Sequence, residues 1–223
     1  MIQHMFGTRW SIFTPIVYRM IEREYVDRFF ATGELRISSY EKFRQHKDEQ
    51  RKDDEGKNVI CLRGDNSTAL AVTKHGMNEY ILCGSAVKDK GLMTQFSCDA
   101  AIQIYDTTEF ANIVSRHIPG ITQGFEGFCY YLDGAIECKV DDVNIEQFKS
   151  STQNNNLDLN MLVGYLLNVA GSSVFFRKSK LFSHQMEYRW VWMTDHLVNE
   201  AITIKIPEAR RICSPLYLSD VED

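Results

Sequence analysis

Six cysteines, Cys61, Cys83, Cys98, Cys129, Cys138 and Cys213, are scattered without a single Cys-x-x-Cys pair. Neither a zinc site nor a disulfide framework is indicated, and buried free thiols are expected. No apolar run approaches the roughly 18 to 20 residues of a membrane-spanning helix. Residues 1–16 carry Arg9 and have no signal-peptide apolar core, so a cytoplasmic chain without a membrane partner is expected. Internal repeats and low-complexity tracts are missing too. A formal charge of −5 provides no chain-wide electrostatic footprint for nucleic acid, leaving only a local basic patch to bind phosphate. Against these absences stand 223 residues with 44% hydrophobic and 12% aromatic content, enough to bury one sizeable core, and a single domain over 1–223 is expected.

Periodicity divides the chain into short elements. The β-branched run at Ile16–Arg19 predicts a strand. It feeds an amphipathic helix in which Ile21, Tyr25 and Phe29, with Val26 and Phe30, recur at helical spacing. Gly33 predicts the end of that helix, and Leu35 and Ile37 alternate with Arg36 and Ser38 as a second strand would. Residues 41–57 are dense in mixed charge, which fits a solvated loop or an ordered loop over a site. Tyr80–Ser85 and Ala101–Tyr105 are strand-like and flank a short helix carrying Leu92, Met93 and Phe96. Asp133-Gly134 between 128–132 and 135–140 predicts a two-residue hairpin. Leu157, Met161, Leu162, Tyr165, Leu166 and Val169 form a helical core stripe. Ser173–Phe176, Glu187–Trp192 and Ala201–Ile206 predict further strands. Strands outnumber helices without alternating regularly with them, which favours an α+β fold over a doubly wound parallel sheet.

Gln185-Met186-Glu187 carries the most chemical information. If Met186–Trp192 is a strand, Gln185 and Glu187 share one direction, and Met186, Tyr188, Trp190 and Trp192 share the other. An apolar face would then anchor a displayed carboxylate. The plainer alternative is a half-buried edge strand with a solvated Glu187.

Three blocks in order resemble the ADP-ribosyltransferase fold. Tyr18-Arg19, a helix and Gly33–Ile37 look like its first block; Ile81–Ser85, a short helix and 101–104 look like its serine-strand block, although the usual Ser-Thr-Ser is absent. Gln185-Met186-Glu187 looks like the Gln-x-Glu form of its catalytic motif. Residues 35–43, 82–85 and 187–189 also resemble a bacterial group of uncharacterised proteins related to this fold. The resemblance implies a split or mixed β-sheet core with flanking helices, NAD+ as co-substrate, no metal, and mono-ADP-ribosyl transfer. It further implies a bacterial toxin of a toxin–antitoxin or phage-defence system, with an antitoxin protein as a partner and nucleic acid, RNA foremost, as acceptor. A protein acceptor, or an inactive nucleotide- or partner-binding module, is the alternative.

The residue types suit these roles. Cleaving the nicotinamide–ribose bond generates an oxocarbenium-like centre that a fixed carboxylate, Glu187, would stabilise. Arg19 offers a planar, permanently charged fork for the pyrophosphate or an adjoining ribose. Ser85 would orient Glu187, with Ser38 or Ser39 as other candidates for that serine, and Gln185 would hold the acceptor. Tyr18, Ser38, Tyr40 and Phe43 are candidates to line the NAD site, the two aromatics against the nicotinamide. Arg177, Lys178, Lys180 and Arg189 are candidates to steer an acceptor's phosphate backbone. Each has a plainer account: Arg19 pairing with Glu22 or Glu24, Ser85 in a turn, Tyr40 and Phe43 in the core, and an ordinary basic loop at 177–180. A Cys83–His184 nucleophile pair is the weakest candidate, since nothing in the sequence brings the two together.

Overall fold

In the computed structural model, residues 2–5, 8–11, 14–44, 57–64, 67–74, 76–133, 136–140, 148, 161–162, 165 and 171–221 are described. The chain opens with β1 (Ile2–Met5) paired antiparallel to β2 (Thr8–Ser11). The expected strand, helix, glycine, strand unit follows as β3 (Val17–Ile21), α1 (Arg23–Thr32) and β4 (Glu34–Ser39). Gly33 closes α1 at φ 79°, donating its N–H to the Phe29 carbonyl, as a left-handed cap does. Any Cβ there would lie 2.5 Å from the Pro207 nitrogen, so only glycine fits this crossing.

The charged stretch is not loop from its start: α2 (Tyr40–Arg44) occupies the first residues, and most of 45–57 lies outside the described residues. β5 (Lys57–Gly64) and β6 (Ser67–Lys74) come next, followed by β7 (Glu79–Ser85), α3 (Lys90–Gln95), β8 (Ala100–Ile104) and α4 (Thr107–Ser115). Asp89 and Asp106 cap α3 and α4 by accepting from Leu92 N and Glu109 N. β9 (Ile121–Phe128), β10 (Tyr130–Tyr131), β11 (Ile136–Val140), β12 (Arg177–Lys178), β13 (Glu187–Thr194), β14 (Ile202–Lys205) and β15 (Cys213–Tyr217) complete the strands.

The principal sheet has eight strands in the order β14-β4-β7-β3-β8-β15, with β13 joined to β7 and β9 branching off it. Its pairings are antiparallel. The architecture is therefore mixed α/β with a mostly antiparallel sheet and several helices, in line with the coarse α+β expectation. On one face Tyr188, Trp190 and Trp192 join Leu35, Ile37 and Leu82 of the sheet with Val26 and Phe29 of α1 and Phe110, Ile113 and Val114 of α4. Burying each such side chain contributes about 1.5–3 kcal/mol. The indole N–H groups of Trp190 and Trp192 donate to the Thr107 and Ala111 carbonyls, fixing α4 in register with β13. On the other face Ile81 and Val191 meet Tyr40 and Val174, Phe175 and Phe176. Among the described residues no helix is long and apolar enough to cross a membrane.

Three expectations are corrected. The strands flanking Asp133-Gly134 are not hairpin partners: β10 pairs parallel with β12, while β11 pairs parallel with β5 in a separate sheet, and Gly134 and Ala135 lie outside the described residues. The Asp133 carboxylate accepts from Lys180 N, 47 positions away, at the start of the segment leading to Gln185. Ser172–Phe176 is a 3₁₀-helix rather than a strand. Val174, Phe175 and Phe176 all enter one apolar cluster, which alternation would forbid and a tight helical turn allows. Finally, β13 is not an edge strand but is paired on both sides, and both of its faces are buried. Of the stripe at 157–169, Met161, Leu162 and Tyr165 are helical and the rest lies outside the described residues.

Candidate functional site

The two edges of β7 are used differently. One edge pairs with β13 along its length, from Glu79↔Met193 to Ser85↔Glu187. The other is divided: Tyr80 and Ile81 pair with Ser39 and Ser38 of β4, and Ser85 pairs with Tyr18 of β3. Strands β3 and β4 thus diverge from a common edge. Gly84 allows β3 to approach so closely, because a Cβ there would lie 2.5 Å from Val17 Cγ1 and 3.1 Å from the Tyr18 carbonyl oxygen. Where the strands part, Arg19 Nη1 donates to the Cys83 carbonyl at 3.0 Å, a side chain doing what a ladder partner would otherwise do.

A cleft of about 660 Å³ occupies this divergence, within the range of about 300–1,000 Å³ usual for small-ligand sites. Tyr18 and Arg19 of β3, Ser38 of β4, Phe43 of α2, Ser85 of β7, and Gln185 and Glu187 all line it. Further charge comes from Arg28, Arg36, Lys42, Glu22 and Glu34. Arg28 pairs with Glu34 at 3.4 Å, and Lys42 pairs with Glu200.

Glu187 sits in this lining as an ion held on both oxygens. Arg189 Nε donates to Oε1 at 2.5 Å, and Lys178 Nζ donates to Oε2. The Glu187 side chain is 8% exposed and those of Lys178 and Arg189 are 4% and 0% exposed, so the solvated-carboxylate alternative fails. Burial raises the Glu187 pKa, but the charges of Arg189 and Lys178 outweigh it and bring the group down to about 2. Lys178 Nζ also reaches Gln185 Oε1 at 2.5 Å.

Gln185 and Glu187 converge, though not by strand alternation. Met186 adopts a left-handed conformation, φ 42° and ψ 49°, between a 3₁₀-helix (Lys180–Gln185) and β13. The kink turns Gln185 inward and leaves Met186 45% exposed. Ser85 Oγ donates to the Gln185 main-chain carbonyl at 2.7 Å, so it anchors the residue before the kink rather than the Glu187 carboxylate. Ser39, its other candidate counterpart, is fully buried and donates to the Asn199 carbonyl.

Other assignments change with burial. Tyr40 is fully buried, edge-on to Phe175, and belongs to the core. Arg177, Lys178 and Arg189 are buried and offer no basic surface to an acceptor. Arg189 donates to the Phe175 carbonyl at 2.7 Å and lies over the Phe43 ring, binding sheet, cover and cleft wall together. Only Lys180 of that set is exposed, beside Asp133 at 3.9 Å. Cys83 has its thiol pKa raised chiefly by burial, and the exposed His184 meets Gln95 at 3.2 Å, so neither supports a nucleophile pair.

Two participants escaped the sequence. The Tyr131 hydroxyl accepts from the Glu187 N–H at 2.7 Å, and Cys129 Sγ lies 3.8 Å from Oε1. Nothing local marks Tyr131, because its partner is 56 positions away. No protein-family model, curated protein or solved structure matches this chain.

Proposed function

We propose that this chain is an NAD-dependent mono-ADP-ribosyltransferase with an ADP-ribosyltransferase-like split sheet. The observation that carries this is the meeting of Arg19, Ser85 and Glu187, widely separated in sequence, in one cleft of ligand size. In the reaction the nicotinamide–ribose C–N bond breaks, its electron pair leaving with nicotinamide. An acceptor nucleophile then bonds to the anomeric carbon and gives up its proton. Glu187, ionised across the physiological range, stabilises the developing positive charge. Arg19 supplies a guanidinium for the diphosphate, and Phe43 an aromatic wall for the nicotinamide.

Nucleic acid, RNA foremost, is the proposed acceptor class, and a toxin neutralised by an antitoxin the proposed setting. Both derive from the resemblance of the Gln-x-Glu block, because burial of Arg177, Lys178 and Arg189 removes the basic-loop argument for nucleic acid. One observation favours an inactive nucleotide-binding module instead: two cations already neutralise Glu187.

Incubating the protein with labelled NAD+ and cell lysate, then with nuclease or protease, tests these alternatives. Label lost to nuclease identifies a nucleic acid acceptor, and label lost to protease a protein acceptor. NAD+ binding without label transfer supports the module. Neither binding nor transfer refutes both.

A further inference from the structure

We propose that the short ribbon of β10 and β12 is a positioning clamp for Glu187, gripping its main chain through Tyr131 and its carboxylate through Lys178. The kinetic consequences rest on the transferase function above; the clamp itself does not. Parallel pairing is the less stable ladder per residue, and a pair of two-residue strands has little stability of its own. What the ribbon achieves is register: Tyr131 lies directly opposite Lys178. Directly paired residues project to the same side of a ladder, which brings the Tyr131 hydroxyl and the Lys178 ammonium to one neighbour. That neighbour is Glu187. Tyr131 Oη accepts from its N–H at 2.7 Å, and Lys178 Nζ meets Oε2.

The surrounding bonds tighten the same grip. Leu132 N donates to the Lys178 carbonyl at 2.9 Å, and Cys129 N donates to the Glu187 carbonyl at 2.9 Å. Lys178 also holds Gln185 Oε1, so both polar residues flanking the left-handed Met186 share one ammonium. Two unfavourable features, a buried lysine and a left-handed methionine, are thereby maintained at one point beside the cleft. The groups facing the carboxylate are Arg189 on β13, Lys178 on β12, Tyr131 on β10, Cys83 on β7, and Cys129 just beyond β9. Arg189 and Lys178 each occupy one carboxylate oxygen; since an ionised carboxylate accepts about four bonds, acceptor capacity is left for a ribose hydroxyl.

The test uses Lys178→Met, Lys178→Arg and the milder Tyr131→Phe in the full chain. Glu187 is followed by carbon NMR of its labelled carboxyl and by exchange of its amide hydrogen. In Lys178→Met the carboxyl titration is expected to move up by about one to three pH units, with Lys178→Arg restoring most of the wild-type position. In Tyr131→Phe the Glu187 amide is expected to exchange about tenfold faster than in wild type. Turnover of NAD+ is expected to fall about 100-fold in Lys178→Met with KM changed less than about threefold, as misplacement of a reacting group predicts. An unmoved titration in Lys178→Met, or an unmoved amide in Tyr131→Phe where Lys178→Met does not fold, overturns the clamp. If both NMR changes occur but wild type neither binds nor consumes NAD+, the clamp stands and the transferase function falls. If wild type turns over NAD+ and either the Lys178→Met titration or the Tyr131→Phe amide is unmoved, the transferase function stands and the clamp falls.

Discussion

Replacing Glu187 with glutamine removes one negative charge and little volume, but it strands the Lys178 and Arg189 cations in a buried site. Breaking a buried pair in this way costs about 3–5 kcal/mol. The depressed Glu187 pKa, set by the Arg189 and Lys178 charges against burial, points in the same direction. For a chain of this length a cost of about 3–5 kcal/mol corresponds to a loss of roughly 6–20 °C in Tm. Urea unfolding of wild type and Glu187→Gln at pH 7, followed by circular dichroism, measures the difference directly. Glu187→Gln/Lys178→Met should recover part of the loss, since it removes one stranded cation with the charge it faced. A cost below about 1 kcal/mol would refute the view that Glu187 is the counter-ion of this site. Lost label transfer in Glu187→Gln is therefore evidence about chemistry only at a temperature where the variant is folded.

Acidification should reproduce that loss. Folding lowers the Glu187 pKa, so the stabilisation is complete above about pH 5 and disappears as pH falls toward 2. The stability difference between wild type and Glu187→Gln should shrink over that window, and a constant difference from pH 5 to 3 would contradict it. Gly84→Ala should displace β3 from β7 and cost about 1–3 kcal/mol, because the new methyl meets both Val17 and the Tyr18 carbonyl; unfolding and NAD+ titration check both effects. Arg19→Lys keeps the charge but loses the planar fork reaching Cys83, so NAD+ affinity measured by calorimetry should fall about tenfold.

Sequence periodicity revealed the elements whose signals are local. The β3-α1-Gly33-β4 unit has helical spacing, a left-handed glycine and alternation within about twenty residues. The alternating aromatics of β13 likewise show their shared apolar face. What stayed hidden depends on pairing at a distance. Arg177, Lys178 and Arg189 have the composition of a solvated basic patch, and the charge of Glu187, brought in from β13, offsets the cost of burying Lys178 and Arg189. The Asp133-Gly134 signal points to a local hairpin, whereas the strands on either side of it pair with distant segments. Gln185 and Glu187 share a destination for a reason no alternation rule contains, the left-handed backbone at Met186.

The junction of β7 with β13 also sets when the cleft exists. Ser85 and the Gln185 carbonyl it binds are 100 positions apart, so closing this part of the sheet is a long-range event that local elements cannot complete. As the chain emerges during synthesis, the residues of β3, β4 and β7 are available well before the segment carrying Glu187. The β7 edge that β13 covers therefore has its partner only once residues 187–193 have been made. Glu187 is synthesised long after Tyr18, Arg19, Ser38 and Ser85, so the lining of the cleft stays incomplete until its segment has emerged.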